Sequence, residues 1–281
     1  MPNPKTQAGS AGLTAIVSDP GRALLAFDFD GVLSPIVADP AQAQAFPRVL
    51  LALADVGQRV GATAIITGRP VEFVTSREGF SGLQAIPAFT IYGQYGRERW
   101  STESPEISAL PQANGIAAAR EELTRLLRQP GQLEGAWLED KGSALAVHTR
   151  RAADPLGARA ELTGPVSDLA QRHGLKFEPG KLVLEVRSPG VEKGDVLREF
   201  ARDRDARSVL YAGDDLGDLS AFAAVDELRR SGIAGVKVCS GSPEAAEVAD
   251  AADLVVDGPA GISDLLESLS QQIVQAHPAG A

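Results

Sequence analysis

The sequence is short of cysteine. Among its 281 residues there is one, Cys239, and it stands in an apolar run. A disulfide framework and a Cys-rich zinc site are both excluded, and a reducing compartment is the natural setting. Long apolar runs are missing as well. Nothing approaches the roughly 20 apolar residues of a membrane span. The opening stretch MPNPKTQAGSAGLTAIVSDPG does not have the shape of a signal peptide. A cytoplasmic protein is expected, with roughly the first ten residues frayed. Basic residues are also in deficit, with 27 Lys and Arg against 37 Asp and Glu and a formal net charge of -10. That argues against broad binding to nucleic acid or to anionic membranes. A local basic pocket for a small anion remains compatible with it. There is no internal repeat. Hydrophobic content of 44% and charged content of 23% suit a soluble globular chain with a sizeable core.

Short apolar runs alternate with helical patterns. ALLAFD (23–28), TAIIT (63–67), FTIYG (89–93), SVLYAG (208–213), VKVC (236–239) and DLVV (253–256) read as buried strands. FPRVLLALADVG, PVEFVTSREG, EKGDVLREFARD, GDLSAFAAVDEL and GISDLLESLSQQI read as helices. This alternation predicts a parallel sheet covered on both faces. The middle of the chain breaks the rhythm. A helix over 114–129 precedes two antiparallel strands that turn at Lys141–Gly142. A second helix, interrupted at Gly164–Pro165, precedes a hairpin that turns at Pro179–Gly180. The expected fold is α/β, a Rossmann-like parallel-sheet core of residues 1–110 and 188–281. A smaller α+β unit, 111–187, is inserted into it.

Four stretches carry candidate chemistry. LLAFDFDGVLSP ends an apolar strand with Asp28 and Asp30, then Gly31, which permits a tight turn. Ligands of open parallel sheets sit beyond the carboxyl ends of the strands. A carboxylate there can be a nucleophile or a metal ligand, and a second can carry a proton. YAGDDLGDLSAF places Asp214, Asp215 and Asp218 after another strand. Three acids together repel, and a cation relieves that repulsion; oxygen ligands beside a phosphate favour Mg²⁺. IITGR ends a strand at Thr67, whose hydroxyl and N–H can hold a phosphate oxygen near a helix start. Lys193 precedes a helix and can neutralise phosphate. Each stretch alone also has a plain structural reading, as a turn or helix cap or a surface lysine.

In this chain order the four resemble the motifs of the haloacid dehalogenase-like (HAD) superfamily: DFDGV the first, ITGR the second, Lys193 the third and GDDLGD the fourth. The resemblance implies that Asp28 attacks phosphorus and that Asp30 protonates the leaving oxygen and then activates water. Thr67 and Lys193 would complete the catalytic set, with Gly68 and Arg69 beside the substrate. Mg²⁺ would be held by Asp28, the Asp30 carbonyl and Asp214, with Asp215 or Asp218 direct or through water. The presence of Asp30 favours phosphatases and mutases over dehalogenases.

The inserted unit is expected to close over the strand ends as a lid and to select the substrate. Strand alternation would put His148 with Arg150, Glu139 beside Lys141, and Lys181 with Glu185. Alternating carboxylates and cations suit a polyhydroxylated ligand, though an ordinary solvated hairpin would look similar. The wording from Glu139 to Arg150, GKLVLEVRSPGVEKG and YGQYGRE resembles the trehalose-6-phosphate phosphatase family. That resemblance implies that Glu139, Lys141, His148, Arg150, Lys181 and Glu185 grip the disaccharide, with Gln94 and Tyr95 on a nearby core loop. Val32 and Gly217 stand where that family often has threonine. The implied partner is a small sugar phosphate acted on by a monomer, without nucleic acid or membrane. Two alternatives stand beside it: a sucrose-phosphate or glycosyl-phosphoglycerate phosphatase, and a non-catalytic sugar-phosphate sensor.

Overall fold

Every residue of the first strand, β1 (Ala23–Phe27), is buried. Its alternate side chains enter two different cores, which only a strand sandwiched between helical layers can do. The computed structural model describes residues 3–111, 115–128, 133–189, 191–241 and 246–278. The chain forms two compact units, Met1–Ser108 with Val191–Ala281, and Ala109–Gly190.

The first unit opens with α1 (Gln7–Ser18) before β1. It continues through α2 (Pro47–Gly57), β2 (Ala62–Ile66), the short α3 (Val71–Thr75) and α4 (Phe80–Leu83), β3 (Phe89–Gly93), β4 (Glu98–Ser101) and β5 (Ser108–Ala109). The second unit contains α5 (Gly115–Leu127), β6 (Trp137–Asp140), β7 (Ala144–His148), α6 (Pro155–Arg172), β8 (Lys176–Pro179) and β9 (Val183–Arg187). The chain returns as α7 (Lys193–Asp203), β10 (Ser208–Gly213), α8 (Leu219–Arg230), β11 (Ala234–Ser240), α9 (Ala246–Ala251), β12 (Leu254–Val256) and α10 (Gly258–Ala276). The large sheet runs β12-β11-β10-β1-β2-β3-β4-β5. Its pairs from β12 to β3 are parallel, and β4 joins antiparallel.

Leu25 and Phe27 pack with α1, α2 and α10 through Ile16, Leu53 and Leu265. Leu24 and Ala26 pack with α7 and α8 through Leu197, Phe200 and Phe222. Burying a side chain such as Phe27 contributes about 1.5–3 kcal/mol. From β1 the chain winds outward through β2 and β3, and after its return through β10, β11 and β12 in the opposite direction. The boundary between β1 and β10 is therefore the topological switch point, where ligands of such sheets bind.

The second unit is a β6-β7-β9-β8 antiparallel sheet. One face packs Leu145, Val147, Leu184 and Val186 against Ile116, Leu162 and Val166 of α5 and α6. Among the described residues, no helix is long and apolar enough to cross a membrane.

The structure corrects three local expectations. Residues 7–10 are helical rather than frayed, with the Thr6 hydroxyl accepting from Gly9 N–H. The helix expected from Pro70 to Gly79 is cut short to Val71–Thr75, and a separate short helix, α4, begins beyond Gly79, its N-cap at φ +84°. The helix α6 runs unbroken through Pro165, held by buried Leu162, Val166 and Leu169. An interior proline costs about 3 kcal/mol, which this packing offsets. The pairing of β4 and β5 at the sheet edge has no counterpart in the sequence reading. Asn114 and Gln129, the ends of the expected 114–129 helix, lie outside the described residues.

Candidate active site

Asp28 directly follows β1, and Asp214 directly follows β10. Because the two strands pair in parallel, both carboxylates emerge at the same end of the sheet. The Asp28 N–H continues the ladder by donating to the Ala212 carbonyl at 2.9 Å. Asp28, Asp214 and Asp218 are all buried, and one oxygen from each lies within 4.8 Å of the others.

Lys193 opens α7 and is buried in the same place. Its Nζ lies 3.0 Å from Oδ2 of Asp28 and 2.7 Å from Oδ1 of Asp218. Glu192 and Asp195 hold the start of this helix as a capping box, which sets where the lysine enters. Asp218 is saturated with donors. Its Oδ1 accepts Lys193 and the Tyr211 hydroxyl at 2.6 Å, and its Oδ2 accepts the N–H groups of Asp214 at 2.9 Å and Asp215 at 3.2 Å. It thus ties the acidic loop to the lysine. Asp215 is exposed on that loop.

Charge and burial compete here. Burial pushes Asp28 up to about 8 against the nearby Lys193 charge, with Asp218, Asp215 and Asp30 adding to the rise. Burial and the neighbouring acids Asp215, Asp218 and Asp28 push Asp214 up to about 10. Burial also acts to raise Asp218, but the charge and hydrogen bond of Lys193 outweigh it and hold Asp218 below the usual range. Burial acts to lower Lys193, and the charges of Asp218 and Asp28 raise it well above its usual value instead. No hydrogen-bond donor among the described residues meets the Asp214 carboxylate. A buried acid in that condition, beside Asp28, fits a hard oxygen-seeking cation.

Asp30 is half-exposed and takes a bidentate fork from Arg69, Nε to Oδ2 at 2.7 Å and Nη2 to Oδ1 at 2.9 Å. Thr67 follows β2 and is buried; its hydroxyl accepts the Arg69 N–H at 3.2 Å. The YGQYGRE loop braces this turn. Gln94 N–H donates to the Arg69 carbonyl and Tyr95 N–H to the Thr67 carbonyl, each at 2.9 Å. Gln94 and Tyr95 both hold positive φ, 49° and 58°, which costs about 1–2 kcal/mol per residue. Such strain is kept where surrounding structure demands it. Gly68 is needed because a Cβ there would meet the Tyr95 ring at 2.8 Å. Glu98 secures the far side, accepting the Val71 N–H at 2.7 Å and the Gln94 amide.

In the second unit, the sheet face opposite α5 and α6 is polar. Glu139 is cross-strand from Ala146, and Ala146 from Glu185, so both acids share that face. The His148 ring lies 2.8 Å from Glu139 and stacks on Trp137 at 4.6 Å between centroids. Lys141 pairs with Glu185 at 2.7 Å. Arg150 falls in the turn after β7 and Lys181 in the turn before β9, so strand alternation assigns neither to a face.

Several residues at these places were not anticipated: Tyr211, Trp137, and Arg187, which pairs with Glu178 at 2.7 Å. Tyr211 had a signal. A phenol in an otherwise apolar buried strand needs a polar partner for its hydroxyl.

A sequence model described as trehalose-phosphatase matches residues 26–256. The trehalose-phosphate phosphatase of Mycobacterium tuberculosis H37Rv is 32% identical over 258 residues, covering 89% of this chain. That of Mycobacterium marinum is 30% identical over 260 residues. The chain spans 62% of the length of these curated relatives. Among solved structures, the Candida albicans trehalose-6-phosphate phosphatase C-terminal domain superposes with a TM-score of 0.73 at 22% identity, over 96% of this chain and 98% of that one. A haloacid dehalogenase-like hydrolase from Bacteroides thetaiotaomicron shares the fold at 14% identity and a TM-score of 0.59, over 88% of this chain and 99% of that one. The matched stretch, residues 26–256, takes in both strand-end acid clusters, Lys193 and the polar sheet of the second unit, and with it the chain belongs to the trehalose-phosphatase family.

Proposed function

We propose that this protein is an Mg²⁺-dependent phosphatase that converts trehalose 6-phosphate to trehalose and phosphate. The observation that carries the reading is the meeting of Asp28, Asp214, Asp218 and Lys193 at the switch point of the sheet. The family match and the curated relatives support the substrate.

An Asp28 carboxylate oxygen attacks phosphorus, forming an aspartyl phosphate and breaking the bond to the sugar oxygen. The Asp30 carboxyl gives its proton to that leaving oxygen. Asp30 then takes a proton from water, whose oxygen attacks phosphorus and frees Asp28 and inorganic phosphate. Lys193 favours the ionised nucleophile through its charge, and the Arg69 fork holds Asp30 in place. The Thr67 hydroxyl donates to a phosphate oxygen; the Thr67 N–H, expected from the sequence to do the same, is taken by the Tyr92 carbonyl at 2.9 Å. Asp28 and Asp214 would hold Mg²⁺, with the Asp30 carbonyl and with Asp215 direct or through water; Asp218, expected from the sequence as a ligand, has its acceptor sites taken by Lys193, Tyr211 and the Asp214 and Asp215 N–H groups and anchors the lysine instead. The cation, when bound, supplies positive charge that offsets the phosphate and these acids.

The core comprises residues 1–110 and 188–281, and residues 111–187 act as the substrate-selecting cap. There Glu139, Lys141, His148, Arg150, Lys181 and Glu185 receive sugar hydroxyls; within the core, Gly68, Arg69, Gln94 and Tyr95 bind substrate. The protein acts as a cytoplasmic monomer, and buried Cys239 suits a reducing compartment. A regulatory role is the second reading, because the Candida albicans trehalose synthase regulatory protein C-terminal domain shares this fold at 15% identity, with a TM-score of 0.64. The complete set of acids and Lys193 favours the enzyme. Asp28→Asn should abolish phosphate release while its circular dichroism stays that of the wild type; substantial turnover in that variant would remove Asp28 as nucleophile.

A further inference from the structure

We infer that Ser240 is a positioning residue, whose hydroxyl anchors the Gly31 peptide so that Asp28 and Asp214 converge on one cation. Ser240 is the last residue of β11 and fully buried. Its Oγ–H donates to the Gly31 carbonyl at 2.6 Å, joining positions 209 residues apart. In the sheet β10 lies between β11 and β1. The bond therefore passes over the end of β10, the strand that delivers Asp214.

Gly31 is pressed against that acid. A Cβ there would lie 2.0 Å from Oδ2 of Asp214, and its φ of +72° is a glycine conformation. Its N–H donates to the Ser34 carbonyl at 2.7 Å within its own loop. Its carbonyl is the side that the rest of the sheet holds, and Ser240 holds it. Without that hydroxyl a buried carbonyl loses its donor, and the loop carrying Asp28 and Asp30 is free to shift against Asp214. The bond is neutral, so it can set geometry without adding charge to an already crowded acidic cluster.

This inference rests on the metal-dependent reading above, and the test separates the two. Mg²⁺ is titrated calorimetrically into the metal-free full chain without substrate. Ser240→Ala should bind Mg²⁺ about tenfold more weakly, the size expected of one buried hydrogen bond. Ser240→Thr, which keeps the hydroxyl, should recover most of the affinity. In turnover, Ser240→Ala should lower kcat with KM for the sugar phosphate unchanged. Should the alanine variant fail to fold, Ser240→Cys, similar in volume but a weak donor, replaces it with the same expectation. Wild-type affinity for Mg²⁺ in Ser240→Ala overturns the inference, and so does equal weakening in Ser240→Thr. A wild-type protein that binds no Mg²⁺ overturns it as well. A wild-type protein that binds Mg²⁺, shows the Ser240→Ala loss, yet releases no phosphate supports Ser240 and sinks the phosphatase reading alone.

Discussion

Replacing Lys193 by methionine tests the electrostatics of the site. The lysine side chain is 4% exposed and touches Asp28 and Asp218, which are 7% and 0% exposed. Methionine keeps the apolar stem and removes the charge. Breaking a buried ion pair by deleting one partner costs about 3–5 kcal/mol. For a domain of the size of the first unit, each kcal/mol moves the melting temperature by about 2–4 °C. The metal-free variant should therefore melt about 6–20 °C below the wild type near neutral pH. The sign of the pH dependence follows from the shifts. Asp218 is held below the usual carboxylate range in the wild type, so it adds stability above its unfolded value that is lost as pH falls through the folded one. Without Lys193, burial raises both acids, and protonation relieves the variant as pH falls. The gap between the proteins should shrink from about pH 7.5 to about pH 5. Thermal melts in chelator read both effects. A variant within about 1 kcal/mol of the wild type at neutral pH, or a gap that does not change with pH, would refute this account of the site.

Two further outcomes are expected. Burial and acidic neighbours hold Asp28 up at about 8 and Asp214 up at about 10; raised acids stabilise the metal-free protein below their unfolded values, and that stability is lost as pH rises through the folded ones. Chelated protein should melt lower at about pH 8.5 than at about pH 6, and saturating Mg²⁺ should raise the melting temperature more at the higher pH; equal protection at both contradicts this. Glu185→Gln should weaken the pair with Lys141 and raise KM for trehalose 6-phosphate about tenfold, with little change for a small aryl phosphate; equal losses on both substrates would take Glu185 out of sugar recognition.

The parallel sheet was legible because its strands are buried on both faces and read as continuous apolar runs. Asp28 and Asp214 were legible because acids at the ends of such runs have no packing role. The helix α1 was not. Gly9 and Gly12 are there for close approach, a Cβ at Gly12 lying 2.3 Å from the Gly235 carbonyl, and small residues leave little apolar periodicity to read. Pro165 misled because its penalty is local while the packing of Leu162, Val166 and Leu169 is tertiary. Arg150 and Lys181 lie in turns, where period-two spacing carries no information about faces. Ser240 reaches the Gly31 carbonyl only through the sheet order, which places the end of β11 across β10 from the loop after β1.

The central claim is tested most directly by phosphate release, with and without Mg²⁺, from a panel of trehalose 6-phosphate, sucrose 6-phosphate, glucose 6-phosphate and mannosylphosphoglycerate. The account predicts strong Mg²⁺-dependent release from trehalose 6-phosphate and little from the others. Preferential release from another member would keep the aspartate chemistry and discard the assignment of the second unit. Silence across the panel, with trehalose 6-phosphate still bound, would contradict the enzyme itself.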